Sequence, residues 1–137
     1  MIVCPPMDIA TSSIVRKNLT NLGMTTIYKI LPAALWREAE RVGKFLGSEV
    51  DRKDGFIHFS TAAQVVETAA KHFAGQADLL LVSVDAGALG PALKWEPSRG
   101  GALFPHLYGE LALSAVTKVE PLPLSPDGRH IFPPLDP

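Results

Sequence analysis

The stretch Asp54-Gly55-Phe56-Ile57-His58-Phe59-Ser60-Thr61 reads as a short apolar strand that carries one histidine and two hydroxyls to the start of a helix. Thr61 at the N-cap with Gln64 three residues on has the pattern of a capping box, in which side chain and backbone satisfy each other's free donors. Val65, Val66, Ala69, Ala70 and Phe73 then form an apolar stripe, and Gly75 closes the helix. Upstream, Thr25 to Leu31 is a β-rich run in which Ile27, Lys29 and Leu31 alternate with Tyr28 and Ile30. Pro32 follows where a helix tolerates it, at the first turn. Leu35, Ala39 and Val42 mark the buried side of that helix, with Trp36 flanking and Gly43 as its stop. Lys44 to Lys53 is a polar connection with room for a short strand or helical turn.

Downstream, Asp78 to Val84 is almost wholly apolar, as expected of a central strand covered on both faces. Ala92 to Glu96 reads as another strand, Pro97 to Tyr108 as a loop of about a dozen residues, and Ala115 to Glu120 as the last strand. The tail from Pro121 is proline-rich and is expected to wrap the surface. Residues 1–23, with Pro5-Pro6 and a weak apolar rhythm, read as a flexible extension or a start-site error, because Met24 directly precedes the first strand. This defines a single α+β domain over residues 24–120 in which two main helices cover a mixed or antiparallel sheet.

Composition narrows the functional classes. With 13 basic and 14 acidic residues and no long basic run, nonspecific nucleic-acid binding is not expected. No apolar run approaches the roughly 18–20 residues of a membrane helix. Cys4 stands alone, so no internal disulfide is available, and a reducing cytoplasm is the expected compartment. Phosphate-loop, dinucleotide-fingerprint and nucleophile-elbow patterns are all missing.

Two polar stretches remain as candidates for chemistry, and they are expected to face each other across one pocket. In the first, His58 stands beside Ser60 and Thr61 at a helix start, where free N–H groups favour an anion or polar ligand. The second is Trp95-Glu96-Pro97-Ser98-Arg99-Gly100-Gly101, running on to Phe104-Pro105-His106-Leu107-Tyr108. Glu96 ends a strand, Arg99 is suited to fork onto a phosphate or carboxylate, and glycine backbone such as Gly100-Gly101 can present N–H groups to an anion. His106 and Tyr108, two apart, point to one side if that segment is extended. Taken singly, each has a plain structural reading: His58 as a satisfied core histidine, Thr61 as a cap, Glu96 as an exposed strand end. His58, His106 and Glu96 have the chemistry for a metal-assisted hydrolase, but their spacing matches no local ligand pattern, so no metal site is expected.

Taken together, IYKIL, DGFIHFST, KWE and FPHLYG, in this order, resemble the domain-of-unknown-function family 952 of small bacterial proteins. The match runs from Thr26 to about Val119. The family's fold is similar to that of ADP-ribosyltransferases, whose split, curved sheet grips NAD. The resemblance therefore implies NAD or a related nucleotide as substrate, with no certain cofactor. Under it, His58 would bond a ribose hydroxyl, Arg99 with Gly100 and Gly101 would hold the pyrophosphate, and Glu96 would stabilise an oxocarbenium-like centre. His58, Glu96 and His106 are then the catalytic candidates, and Ser60, Thr61, Ser98, Arg99, Gly100, Gly101 and Tyr108 the ligand-binding ones. Glu110 departs from the family's usual proline after YG, and is expected at a rim position. The alternative is an inert module that binds a small anion or nucleotide.

Overall fold

The computed structural model describes residues 25–136. The expected extension at 1–23 lies outside them. Three antiparallel sheets form the frame, joined in part through a short bridge. The first contains strands β1 (Thr26–Pro32), β4 (Leu79–Asp85) and β8 (Val116–Leu122), with β4 in the middle. The second contains β3 (Ile57–His58), β6 (Leu103–Leu107) and β5 (Leu93–Pro97), with β6 in the middle. A two-stranded ribbon pairs β2 (Lys44–Phe45) with β7 (Leu111–Ala112). The helices are α1 (Ala33–Val42), α2 (Glu49–Asp54) and α3 (Ala62–His72). The class is α+β as expected, and of the two expected sheet types, mixed or antiparallel, the pairing is antiparallel throughout the described strands, divided among separate sheets.

Alternation along β1 accounts for the layering. Ile27 and Leu31 point to one face and join Trp36, Ala39, Phe45, Ile57, Phe59, Val82, Val84, Leu107 and Leu111 in the larger core. Tyr28 and Ile30 point to the other and pack with Val65, Ala69, Leu79, Leu81 and Leu122 beneath α3. β4 supplies apolar side chains to both cores, which is why its sequence shows an unbroken apolar run. The tail returns to the second core through Phe132 and Leu135, and the Tyr28 hydroxyl accepts the Asp136 N–H at 2.7 Å.

Three local expectations are corrected. Helix α1 buries Trp36 and Ala39, leaving Leu35 and Val42 exposed, because the tryptophan ring packs against Phe45 with centroids 6.2 Å apart. Helix α3 ends at His72, with Phe73 as its C-cap, and Val66 is turned outward. The supposed loop from Pro97 to Tyr108 is a β-hairpin, in which Pro97 pairs with Leu103 and Leu93 with Leu107 across a short turn.

Pro105 conceals that hairpin, since proline normally argues against a central strand. In an antiparallel strand the N–H and C=O of one residue point the same way. The Pro105 carbonyl accepts the Phe59 N–H at 3.0 Å, so the missing donor also lies on the β3 side and costs the β5 ladder nothing. Just past this point the β3 chain changes sheets: Ser60 and Tyr28 exchange backbone hydrogen bonds of 2.9 and 2.7 Å.

Candidate functional site

β3, β6 and β5 bring the polar residues onto one face. His58 pairs with His106, and His106 with Lys94, so these three side chains form a row across the sheet. Ile57 and Leu107 alternate to the opposite face and are buried in the larger core. Phe56, in the turn before β3, lies over the row. Its ring stacks on His106 with centroids 4.1 Å apart and lies 4.6 Å from His58 and 5.2 Å from Tyr108. The two imidazoles meet edge to face at 5.5 Å.

A carboxylate holds each histidine at Nδ1. His106 Nδ1 lies 2.7 Å from Glu96 Oε1, which also accepts the Tyr108 hydroxyl at 2.8 Å. Those two bonds, His106 first and Tyr108 second, hold the Glu96 carboxyl below its usual range. The bond to Glu96 in turn raises the Tyr108 phenol. Ionised Glu96 only accepts, so in this arrangement His106 Nδ1 carries the proton.

His58 Nδ1 lies 2.6 Å from Asp51 Oδ1, and its Nε2 lies 3.0 Å from Asp54 Oδ2. Asp51 is 2% exposed and is the hub of the inner network. Lys29 Nζ approaches its two oxygens at 3.0 and 2.8 Å, while the backbone N–H groups of His58 and Ser48 donate to it at 3.2 and 2.9 Å. Burial works to raise the Asp51 carboxyl, but the His58 bond, the Lys29 charge and the Ser48 N–H together hold it well below the usual range. Burial pulls Lys29 down from the usual lysine range, against the opposing pull of Asp51.

His58, His106, Glu96 and Tyr108 are thus brought together. Other candidates lie apart from the cluster. Ser60 is buried, its hydroxyl bonded to Thr68 Oγ1 at 3.0 Å. Thr61 forms the capping box with Gln64, whose Oε1 accepts the Thr61 N–H at 3.0 Å. Ser98, Arg99, Gly100 and Gly101 form the hairpin tip, where Ser98 N–H bonds Ala102 and Gly101 N–H bonds Ser98. Glu110 is exposed and pairs with Lys44 at 3.1 Å. Two surface hollows lie away from this cluster. One of about 280 Å³ is lined by Thr25, Ala86, Gly87, Gly90, Leu93 and Trp95, and one of about 110 Å³ lies beside α1. His58, Glu96, His106 and Tyr108 line neither of these two hollows. Among the described residues, no cluster of three or more His, Cys, Asp or Glu side chains has the arrangement to hold a metal ion.

Lys29, Asp51, Asp54 and Phe56 were missed by sequence reasoning. Lys29 gave a signal, since it shares the β1 face of Ile27 and Leu31 and a lysine so placed requires a buried partner. Ser48 three residues before Asp51 is itself a capping pattern, and both of its reciprocal bonds form.

Fold and site define a small α+β protein that presents two carboxylate-held histidines on an antiparallel sheet. Residues 30–119 match the family described as protein of unknown function (DUF952), and the chain belongs to that family. It is similar to protein CC0527 from Caulobacter crescentus. The X-ray structure of that protein aligns with a TM-score of 0.76 at 55% identity, covering 78% of this chain and 94% of that one. Its solution NMR structure aligns at 0.70 and 57% identity, covering 77% and 91%. No curated protein matches the chain. No helix among the described residues is long and apolar enough to cross a membrane.

Proposed function

We propose that this chain is an ADP-ribosyltransferase-like enzyme that uses NAD or a related nucleotide, with its site on the face shared by β3, β6 and β5. The observation that carries the reading is the convergence of His58 with Glu96, His106 and Tyr108 of the β5–β6 hairpin, the rings of His58, His106 and Tyr108 lying against Phe56. The split between two antiparallel sheets, bridged where Ser60 meets Tyr28, supports the likeness to that fold.

In this reading Asp51 fixes the His58 ring through Nδ1, and a ribose hydroxyl takes the place of the exposed Asp54 carboxylate at Nε2. The Glu96 carboxylate, held ionised and with Oε2 outside the His106 and Tyr108 bonds, stabilises positive charge at the ribosyl C1′ as nicotinamide leaves. Exposed aromatic surface on Tyr108 offers a stacking platform. The hairpin tip at Ser98 to Gly101, where the resemblance expects the pyrophosphate, begins two residues beyond Glu96.

Incubating the purified protein with NAD and following nicotinamide by chromatography tests the proposal. Release above the spontaneous rate, lost in Glu96→Gln, is expected, whereas equal rates with and without protein count against it. A second reading, an inert nucleotide-binding module, is favoured by the carboxylates that hold both histidines in place as a structural network would. It calls for NAD to raise the melting temperature without turnover.

A further inference from the structure

We infer that His106 is the general base of this site, held by Glu96 as a histidine–carboxylate dyad, so that the acceptor is a hydroxyl-bearing molecule, either water or an alcohol. The inference rests on the NAD-cleaving reading above and deepens it. That reading leaves His106 without a role, although it is the most deeply buried histidine of the cluster, at 5% exposure.

Three features carry the argument. Glu96 Oε1 receives both His106 Nδ1 and the Tyr108 hydroxyl, so the imidazole proton sits on Nδ1 and the lone pair of the neutral ring sits on Nε2. Histidine–carboxylate pairs work this way in general: the carboxylate fixes the tautomer and then balances the imidazolium that forms. Second, the ring cannot turn freely, because Phe56 covers it at 4.1 Å with planes 30° apart. Third, Nε2 makes no hydrogen bond among the described residues, and the side chain keeps a 6% exposed edge. An oriented base with an open lone pair beside a second histidine 5.5 Å away suits removal of a proton from an acceptor.

The step balances without a further reactant. The bond from ribosyl C1′ to the nicotinamide nitrogen breaks, and its electron pair leaves with neutral nicotinamide. The acceptor oxygen forms a bond to C1′, and its proton passes to His106 Nε2, giving an imidazolium opposite Glu96. Glu96 thus acts through Oε1 as a positioning residue for His106 and through Oε2 at the reacting centre.

Two measurements test this. The first needs no NAD. In long-range proton–nitrogen spectra of protein labelled with nitrogen-15 histidine, His106 is expected to show a protonated Nδ1 and a bare Nε2. Glu96→Gln is expected to mix the tautomers. A wild-type ring protonated only at Nε2 overturns the dyad. The second follows nicotinamide release with methanol as added acceptor. His106→Gly is expected to lower the rate by about 10²- to 10⁴-fold and free imidazole to restore part of it. Methyl ADP-riboside is expected alongside ADP-ribose. If wild type releases nicotinamide and folded His106→Gly matches it, the base assignment fails while the NAD reading stands. If wild type releases none, the NAD reading and the acceptor chemistry fail together, and the spectra still decide the dyad.

Discussion

Asp51 is the residue on which stability and site depend together. It is buried, pairs with Lys29, caps its own helix through Ser48 and grips His58. Removing one member of a buried ion pair leaves the other charge uncompensated, so Asp51→Ala should lose about 3–5 kcal/mol of stability. Urea unfolding followed by circular dichroism measures this. The double variant Lys29→Met/Asp51→Leu should recover part of the loss, because an apolar pair needs no compensation, although His58 stays unanchored. The pH dependence follows from the direction of the shift. A carboxyl whose folded value is depressed contributes fully above its ordinary value of 3.8 and loses that contribution as pH falls toward the folded value. The urea midpoint of wild type should therefore decline as pH drops below about 4, and Asp51→Asn should flatten that decline.

At the scale of elements, the short helix α2 is what brings Asp51 to Lys29. It starts at Ser48 in a complete capping box and stops at Gly55, whose φ is 88°. Just before it, Gly47 sits at φ 108°, and a Cβ there would stand 2.9 Å from the Asp51 Cβ. Both strain and collision oppose any side chain, so Gly47→Ala should lower the melting temperature and also disturb the His58 signals in NMR spectra. In α3, Thr61→Ala removes half of a capping box and should cost about 1 kcal/mol by denaturant titration. The hairpin of β5 and β6 supplies Glu96, His106 and Tyr108 together, which explains their convergence although twelve residues separate the first from the last.

At the scale of the whole molecule, β1 and β4 belong to both cores, so neither core can be lost alone. Thermal or urea unfolding should be one cooperative transition, with tryptophan fluorescence and far-ultraviolet dichroism coincident. Leu81→Ala, at a fully buried position, should lower stability by about 2–5 kcal/mol. Local order was largely legible along the chain. Alternation in Thr26 to Leu31, the apolar run of β4 and the Thr61–Gln64 pair are local patterns, and each identified its element. The same holds for His58, Glu96, His106 and Tyr108 as candidates, because their residue types carry chemistry wherever they stand. Other features depended on tertiary contacts. The facing of α1 was decided by Trp36 meeting Phe45, and the strand hidden at Pro105 by the direction in which its absent donor points. The Asp51–Lys29 pair joins residues far apart in the chain, so no short-range pattern could reveal it. The sequence by itself determined the α+β class, the main elements and the polar candidates, since these follow from short-range periodicity and side-chain chemistry. Only the tertiary structure decided which candidates share a face and which are structural, because burial and hydrogen-bond partners depend on segments that meet only once the chain has folded.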